Sequence, residues 1–183
     1  MLVDAAKASL LIVDVQERLL PAMAVGNSVV ERSKILLKAA KALDVPIAVS
    51  EQYPKGLGHT VETLSQEIGN APVFAKTSFS CWRDGALRRH FTAQHDGGRP
   101  QVVIAGIEAH VCVAQTVIDM AQAGFGVFVV ADAVSSRADS SVALALTRMG
   151  QSGVAVINTE MAVFELLGKA GTAEFKALSA LVK

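Results

Sequence analysis

Three residues of reactive type fall at the ends of apolar stretches: Asp14 in "LLIVDVQ", Lys76 closing "PVFAK" and Cys112 in "GIEAHVCV". A carboxylate flanked by apolar residues needs a partner if it is buried. A lysine ending a buried strand either snorkels to solvent or pairs with an opposite charge. A cysteine opening a helix lies among unpaired amide N–H groups at the positive end of the macrodipole, which favours thiolate. The same amides suit an oxyanion forming on a substrate carbonyl. Singly, each residue has an ordinary explanation in packing, snorkelling or loop capping. Together they supply a nucleophile, a base for its proton and a cation to hold the resulting charge.

The elements that must position them alternate regularly. Strand-like runs rich in Val, Ile and Ala are Ser9–Val15, Pro46–Glu51, Pro72–Lys76, Gln101–Gly106, Gly126–Ala131 and Val154–Asn158. Their near-continuous apolar character fits strands covered on both faces. Helical patterns lie between and after them at Ser28–Leu43, Thr60–Ile68, Asp84–Gln94, Val111–Ala123, Ser140–Met149, Ala162–Gly168 and Thr172–Leu181. Gly124 and Gly150 are expected to end two helices, and Pro46 and Pro72 to start two strands. The alternation predicts an α/β fold of three α/β/α layers: a Rossmann-like sheet of about six mostly parallel strands, with helices on both faces. A single domain over residues 1–183 is expected, with "AQHDGGRP" (Ala93–Pro100) a flexible turn inside it.

Ligands of such sheets bind beyond the carboxyl ends of the strands. Asp14, Lys76 and Cys112 lie there, and so do Gln16, Glu51, Gln52, Tyr53, Phe79, Trp82 and His110, which are the candidate pocket residues. Trp82 and Tyr53 are the only Trp and Tyr of the chain. They are read as a flat wall for substrate, with packing of Trp82 on a helix or a second subunit as the alternative. His110 is read as a turn residue rather than an acid or base, and Cys81 as packing. Asp132 and Arg137 of "DAVSSR" are expected to pair and hold their loop, or to make a subunit contact.

Seventeen Lys and Arg balance seventeen Asp and Glu, which gives no electrostatic reason to expect nucleic acid or an anionic membrane. No apolar run reaches the ~18 residues of a membrane span, and no signal peptide is evident. Two cysteines 31 residues apart make neither a disulfide framework nor a zinc site. The expected setting is a reducing cytosol with a small-molecule partner.

Five stretches in order, "LLIVDVQERLL", "SEQYPKGLGHT", "FAKTSFSCW", "GIEAHVCV" and "VVADAVSSR…ALTRMGQSGVAV", resemble the isochorismatase-like cysteine hydrolases. The likeness runs from about Ser9 to Leu167 and is greatest to the isochorismatase domain-containing group. It implies a catalytic triad of Asp14, Lys76 and Cys112. It also implies a non-proline cis peptide at Ile107–Glu108 and an oxyanion hole from the backbone N–H groups of Glu108 and Cys112. Assembly into dimers or larger homo-oligomers is implied too, for which "EFKALSALVK" (Glu174–Lys183) is a candidate surface. Nicotinamidases of this superfamily bind a metal through an Asp-x-His run and a further His. Here only His59 stands in that segment, so neither metal nor cofactor is expected. The presence of Cys112 points to cleavage of an amide-type C–N bond through a thioester, with an activated thiolate. An isochorismatase-type vinyl-ether hydrolase and a non-catalytic or redox thiol protein are the alternatives.

Overall fold

The computed structural model describes residues 1–182. Six strands, β1 (Ala8–Val13), β2 (Ile47–Gln52), β3 (Val73–Lys76), β4 (Gln101–Ile107), β5 (Gly126–Ser135) and β6 (Ala155–Ile157), form one sheet in the order β3-β2-β1-β4-β5-β6. Every pairing is parallel. β1 and β4 lie at the centre, and every residue of both is buried. That burial is why they read as unbroken apolar runs rather than as an alternation.

The helices are α1 (Gly26–Ala42), the single turn α2 (Pro54–Leu57), α3 (Glu62–Ile68), α4 (Gly85–Asp96), α5 (Ala114–Gln122), α6 (Asp139–Gln151), α7 (Thr159–Leu167) and α8 (Ala173–Ser179). One core layer joins Leu36 and Leu37 of α1, Leu64 of α3 and Leu166 of α7 to Leu10, Ile12, Val103 and Phe128 of the sheet. The other joins Leu87 and Phe91 of α4, Val117 and Met120 of α5 and Met149 of α6 to Leu11, Val13, Ile104 and Val129. Alternate side chains of each strand thus feed opposite layers, the α/β/α arrangement expected. α8 packs outside the first layer, with Leu178 against Ala39 and Val163. Lys183 of the candidate oligomer segment lies outside the described residues.

Several boundaries differ from the sequence reading for physical reasons. Gly150 lies inside α6, and the chain turns out of the helix at Gly153 with φ +83°. β5 continues through "DAVS" to Ser135, past a register shift against β4 between Ile104 and Gly106. "AQHDGGRP" is helix as far as Asp96, and the turn proper is Gly97–Gly98. Asp132 and Arg137 do not pair with each other. Asp132 pairs with Arg32 (3.4 Å) and accepts bonds from the Thr159 N–H (2.8 Å) and hydroxyl (2.9 Å), while Arg137 donates to Glu108 (2.8 Å).

Candidate active site

Asp14 follows directly on β1 with φ +53°, a left-handed conformation that Asp tolerates better than most residues. Its N–H bonds back to the Ser50 carbonyl of β2 (3.0 Å). Its carboxylate is wholly buried, and both oxygens are engaged. Oδ1 accepts from the Ser50 hydroxyl (2.7 Å) and Oδ2 from the Lys76 ammonium (2.7 Å). Lys76 reaches it from the last residue of β3, two strands away, and neither side chain of the pair has any solvent exposure. The remaining partners of Nζ are Gln52 Oε1 (2.7 Å) and the carbonyls of Ser78 and Phe79 (3.2 Å each). Burial works against the ammonium. The charges of Asp14, Cys81 and Cys112 and the Asp14 hydrogen bond overcome that and raise its pKa above the ordinary lysine value.

Cys112 lies not in the first turn of an α-helix but in a π-turn, Ala109–Val113, that precedes α5. Wide turns of this kind are frequent at functional sites. The Glu108 carbonyl anchors the turn by accepting from the N–H groups of Val111 (3.1 Å) and Val113 (3.2 Å). Cys112 is 5 % exposed, and its thiol lies close enough to Asp14 and Lys76 for both to act on it. Burial pushes the thiol well above its ordinary value, the Asp14 carboxylate adds to the rise and Lys76 opposes it without winning. The sequence suggested an activated thiolate; in the structure, burial and the Asp14 carboxylate both work against one. A helix-end field is too weak to offset removal from water beside a negative group.

The Ile107–Glu108 peptide is cis. The Glu108 side chain turns away to Arg137, so only its backbone belongs to the turn. Cys81 is fully buried, its sulfur 3.4 Å from the Ser50 hydroxyl. Burial first and Asp14 second push this thiol up to about 11. Thr116 ties the two cysteine segments together, accepting from the Cys81 N–H (2.8 Å) and donating to the Cys112 carbonyl (2.7 Å).

The candidate pocket residues divide. Phe79 and Tyr53 are exposed beside the site, at 54 % each. Tyr53 lines an open cleft of about 370 Å³ with Pro54, Lys55, Thr77 and Asp84, against Lys76. Gln16 is fully buried and spends its amide on backbone: Nε2 donates to the carbonyls of Gln52 (3.0 Å) and Gly58 (2.7 Å), and Oε1 accepts from the Gln52 N–H (2.7 Å). Glu51, read as lying at the mouth, is buried and faces the loop, holding the Thr60 N–H (2.7 Å) and hydroxyl (2.9 Å) and His59 Nδ1 (3.0 Å). Burial raises its pKa, but these hydrogen bonds outweigh burial and lower it overall. Trp82 is half-buried and packs on the core layer that holds Cys81 and Cys112, its ring edge-on to Phe125 just before β5, at 5.2 Å between centroids. His110 is held by Ser136, whose hydroxyl lies 2.9 Å from Nδ1 and 3.4 Å from the backbone nitrogen. Among the described residues there is no cluster of three or more His, Cys, Asp or Glu suited to a metal, and no helix long and apolar enough to cross a membrane.

Ser50, Thr116 and Ser136 are the site residues that the sequence did not bring forward. Ser50 carried a signal: a hydroxyl within the buried run "IAVS" needs a polar partner, and Asp14, just past the end of the neighbouring strand, needs a donor.

The isochorismatase domain, as a family, matches residues 8–161 of the chain. The chain belongs to the isochorismatase family. It is 40 % identical over 159 residues to the secreted isochorismatase effector Isc1 of Phytophthora sojae, covering 85 % of this chain and 75 % of that one. It is 39 % identical over 173 residues to isochorismatase domain-containing protein 2 of Danio rerio (94 % and 85 %). Among solved structures, the MAR1 ribonuclease of Caenorhabditis elegans superposes with a TM-score of 0.92 at 34 % identity, covering 100 % of this chain and 92 % of that one. YcaC of Pseudomonas aeruginosa, solved with hexane-2,5-diol and covalent acrylamide, has a TM-score of 0.91 at 25 % identity (98 % and 91 %). The Escherichia coli YcaC, described as an octameric hydrolase of unknown specificity, scores the same at 25 % identity (99 % and 90 %). The isochorismatase-like fold and family make this protein a hydrolase.

Proposed function

We propose that this hydrolase cleaves an amide-type C–N bond of a small molecule, with Cys112 as nucleophile, Asp14 as proton carrier and Lys76 as the fixed cation. The observation that carries the reading is the fully buried Asp14–Lys76 pair facing the Cys112 thiol. As sulfur attacks the carbonyl carbon, its proton passes to Asp14. The oxyanion is met by the backbone N–H groups of Glu108 and Cys112. When the tetrahedral species collapses, the C–N bond breaks and Asp14 returns the proton to the leaving nitrogen. Water then attacks the thioester, giving a proton to Asp14; the C–S bond breaks and the thiol is restored. Lys76 keeps Asp14 charged in a closed space where a lone carboxylate would be costly. The covalent acrylamide on the Pseudomonas YcaC supports a reactive nucleophile on this fold.

The name of the nematode relative makes RNA the second substrate to test. The balanced charge of this chain supplies no basic track for a polyanion, which favours the small-molecule reading. Exposed Leu144, Met161 and Phe164 suit assembly of several copies, as in the octameric relative, and light scattering checks it. The deciding experiment screens wild type, Cys112→Ala and Asp14→Asn against amides, esters and RNA. Amide turnover that both substitutions abolish, with mass spectrometry trapping an acyl group on Cys112, is the expected result. Turnover that persists in Cys112→Ala would sink the proposal.

A further inference from the structure

Lys76 has more acceptors than protons. An ammonium carries three N–H groups, and Nζ meets Asp14 Oδ2 and Gln52 Oε1 at 2.7 Å and the Ser78 and Phe79 carbonyls at 3.2 Å. The two short bonds take one proton each, and the third is shared between the two carbonyls. No proton is left for a substrate, so the cation acts through Asp14 alone. Of the two short partners, Asp14 is charged and Gln52 is neutral.

Gln52 is unusually constrained for a surface-edge glutamine. Its Nε2 donates to the Thr77 carbonyl (2.8 Å), which forces Oε1 toward Lys76. A flipped amide would set NH₂ against the ammonium and oxygen against the Thr77 oxygen. Its own N–H and C=O are both clamped by the buried Gln16 side chain. Ser50, two residues earlier on the same strand, holds the other oxygen of Asp14. β2 therefore presents one neutral donor to the carboxylate and one neutral acceptor to the ammonium. The titratable groups facing this pair are Cys81, after β3, and Cys112, after β4. Glu51, between Ser50 and Gln52, faces Thr60 and His59 instead.

We propose that Gln52 is a positioning residue of the isochorismatase-family site, a neutral acceptor that fixes the Lys76 ammonium without competing with Asp14 for its charge. The inference rests on the triad reading above. A carboxylate at position 52 would divide the ammonium between two anions and leave the cluster one charge more negative. Protons on the cluster would then be held more tightly, and thiolate formation would need higher pH.

The test is the pH profile of Cys112 alkylation by iodoacetamide, followed by peptide mass spectrometry, in wild type, Gln52→Glu, Gln52→Met and Asp14→Asn. Gln52→Glu is expected to be alkylated about tenfold more slowly than Gln52→Met at each pH, the equivalent of about one pH unit for one added like charge in a buried cluster. Gln52→Met removes the acceptor without adding charge, so it is expected to slow alkylation by the lesser factor. If both Gln52 variants only lower the rate by the same factor, Gln52 is mere packing and the inference is overturned. If Gln52→Glu does not fold, slower alkylation in Gln52→Met that Gln52→Asn, which keeps a neutral amide acceptor, partly restores supports the inference, and an equal loss in both or a wild-type rate overturns it. If instead Asp14→Asn leaves the wild-type profile unchanged, the triad reading itself has failed, an outcome separate from either.

Discussion

Substituting Lys76 by Met tests whether the charge pair at the heart of this site is as dry as its geometry shows. Neither Lys76 nor Asp14 exposes any side-chain surface, and their polar atoms lie 2.7 Å apart. Removing one member of a buried pair costs about 3–5 kcal/mol, because the other charge remains without its partner. For a chain of this length that corresponds to a loss of roughly 10 °C in Tm. Removing the charge of Asp14 as well, in Asp14→Asn/Lys76→Met, should recover about 2 kcal/mol, since no orphaned carboxylate then remains. Urea unfolding at pH 7 of wild type, both single variants and the double variant gives the cycle. The pH dependence has a definite sign. Lys76 titrates above its ordinary 10.5 in the folded protein, so its contribution is complete below that value and fades as pH rises through the raised one. The gap between wild type and Lys76→Met should therefore be flat from neutral pH to about pH 10 and shrink only beyond it. A loss under ~1 kcal/mol, the size of an exposed pair, would refute the reasoning.

Gly106→Ala should be among the most damaging small substitutions in the chain. With φ at +126°, the new Cβ would strike the backbone of Val13 in the neighbouring strand, which cannot move aside. A loss of about 3 kcal/mol or more is expected in thermal or urea unfolding, and a variant within ~1 kcal/mol of wild type would contradict the β1–β4 packing. Cys81, fully buried with its thiol pushed up to about 11, should stay unmodified by iodoacetamide at pH 8 until urea unfolds the chain. Labelling of Cys81 in the folded protein would show that the site opens more than its burial implies. Asp132→Ala removes the bonds that hold the start of α7 and should cost about 1–2 kcal/mol. Arg137→Ala should change stability by less than ~0.5 kcal/mol, and the two should add, because they share no bond.

The framework of the fold was legible because parallel strands covered on both faces leave continuous apolar runs, and β1, β2, β4 and β6 each fell within two residues of their expected bounds. What escaped depended on tertiary context. β5 was cut short at Ala131 because "DAVSS" carries the composition of a turn, yet sheet pairing beyond the register shift keeps it extended. α1 begins at Gly26 and Asn27, poor helix formers, with the Gly26 Cβ position facing the Leu20 carbonyl. The approach of Asp14 and Lys76 followed from strand ends lying on one edge of a parallel sheet. The state of the Cys112 thiol did not, because it depends on how completely water is excluded, and spacing carries no trace of that. Gln16 and Glu51 looked like pocket residues for the same reason: strand-end position gives an address, whereas their bonding to Gly58 and Thr60 shows they hold a loop.

The lysine of this site is carried by β3, four residues long and paired on one side only, at the rim of the sheet. Rim strands are the segments that detach in sub-global opening while the centre stays protected against hydrogen exchange. Each such excursion withdraws Lys76 from Asp14 and disarms the enzyme without unfolding it. The pair in turn resists the excursion, since opening must separate opposite charges that no water reaches. The buried ammonium is thus also the clasp on a short edge strand. Amide protection of Val73–Lys76 and the onset of thermal inactivation should rise and fall together, below the temperature at which the central strands give way.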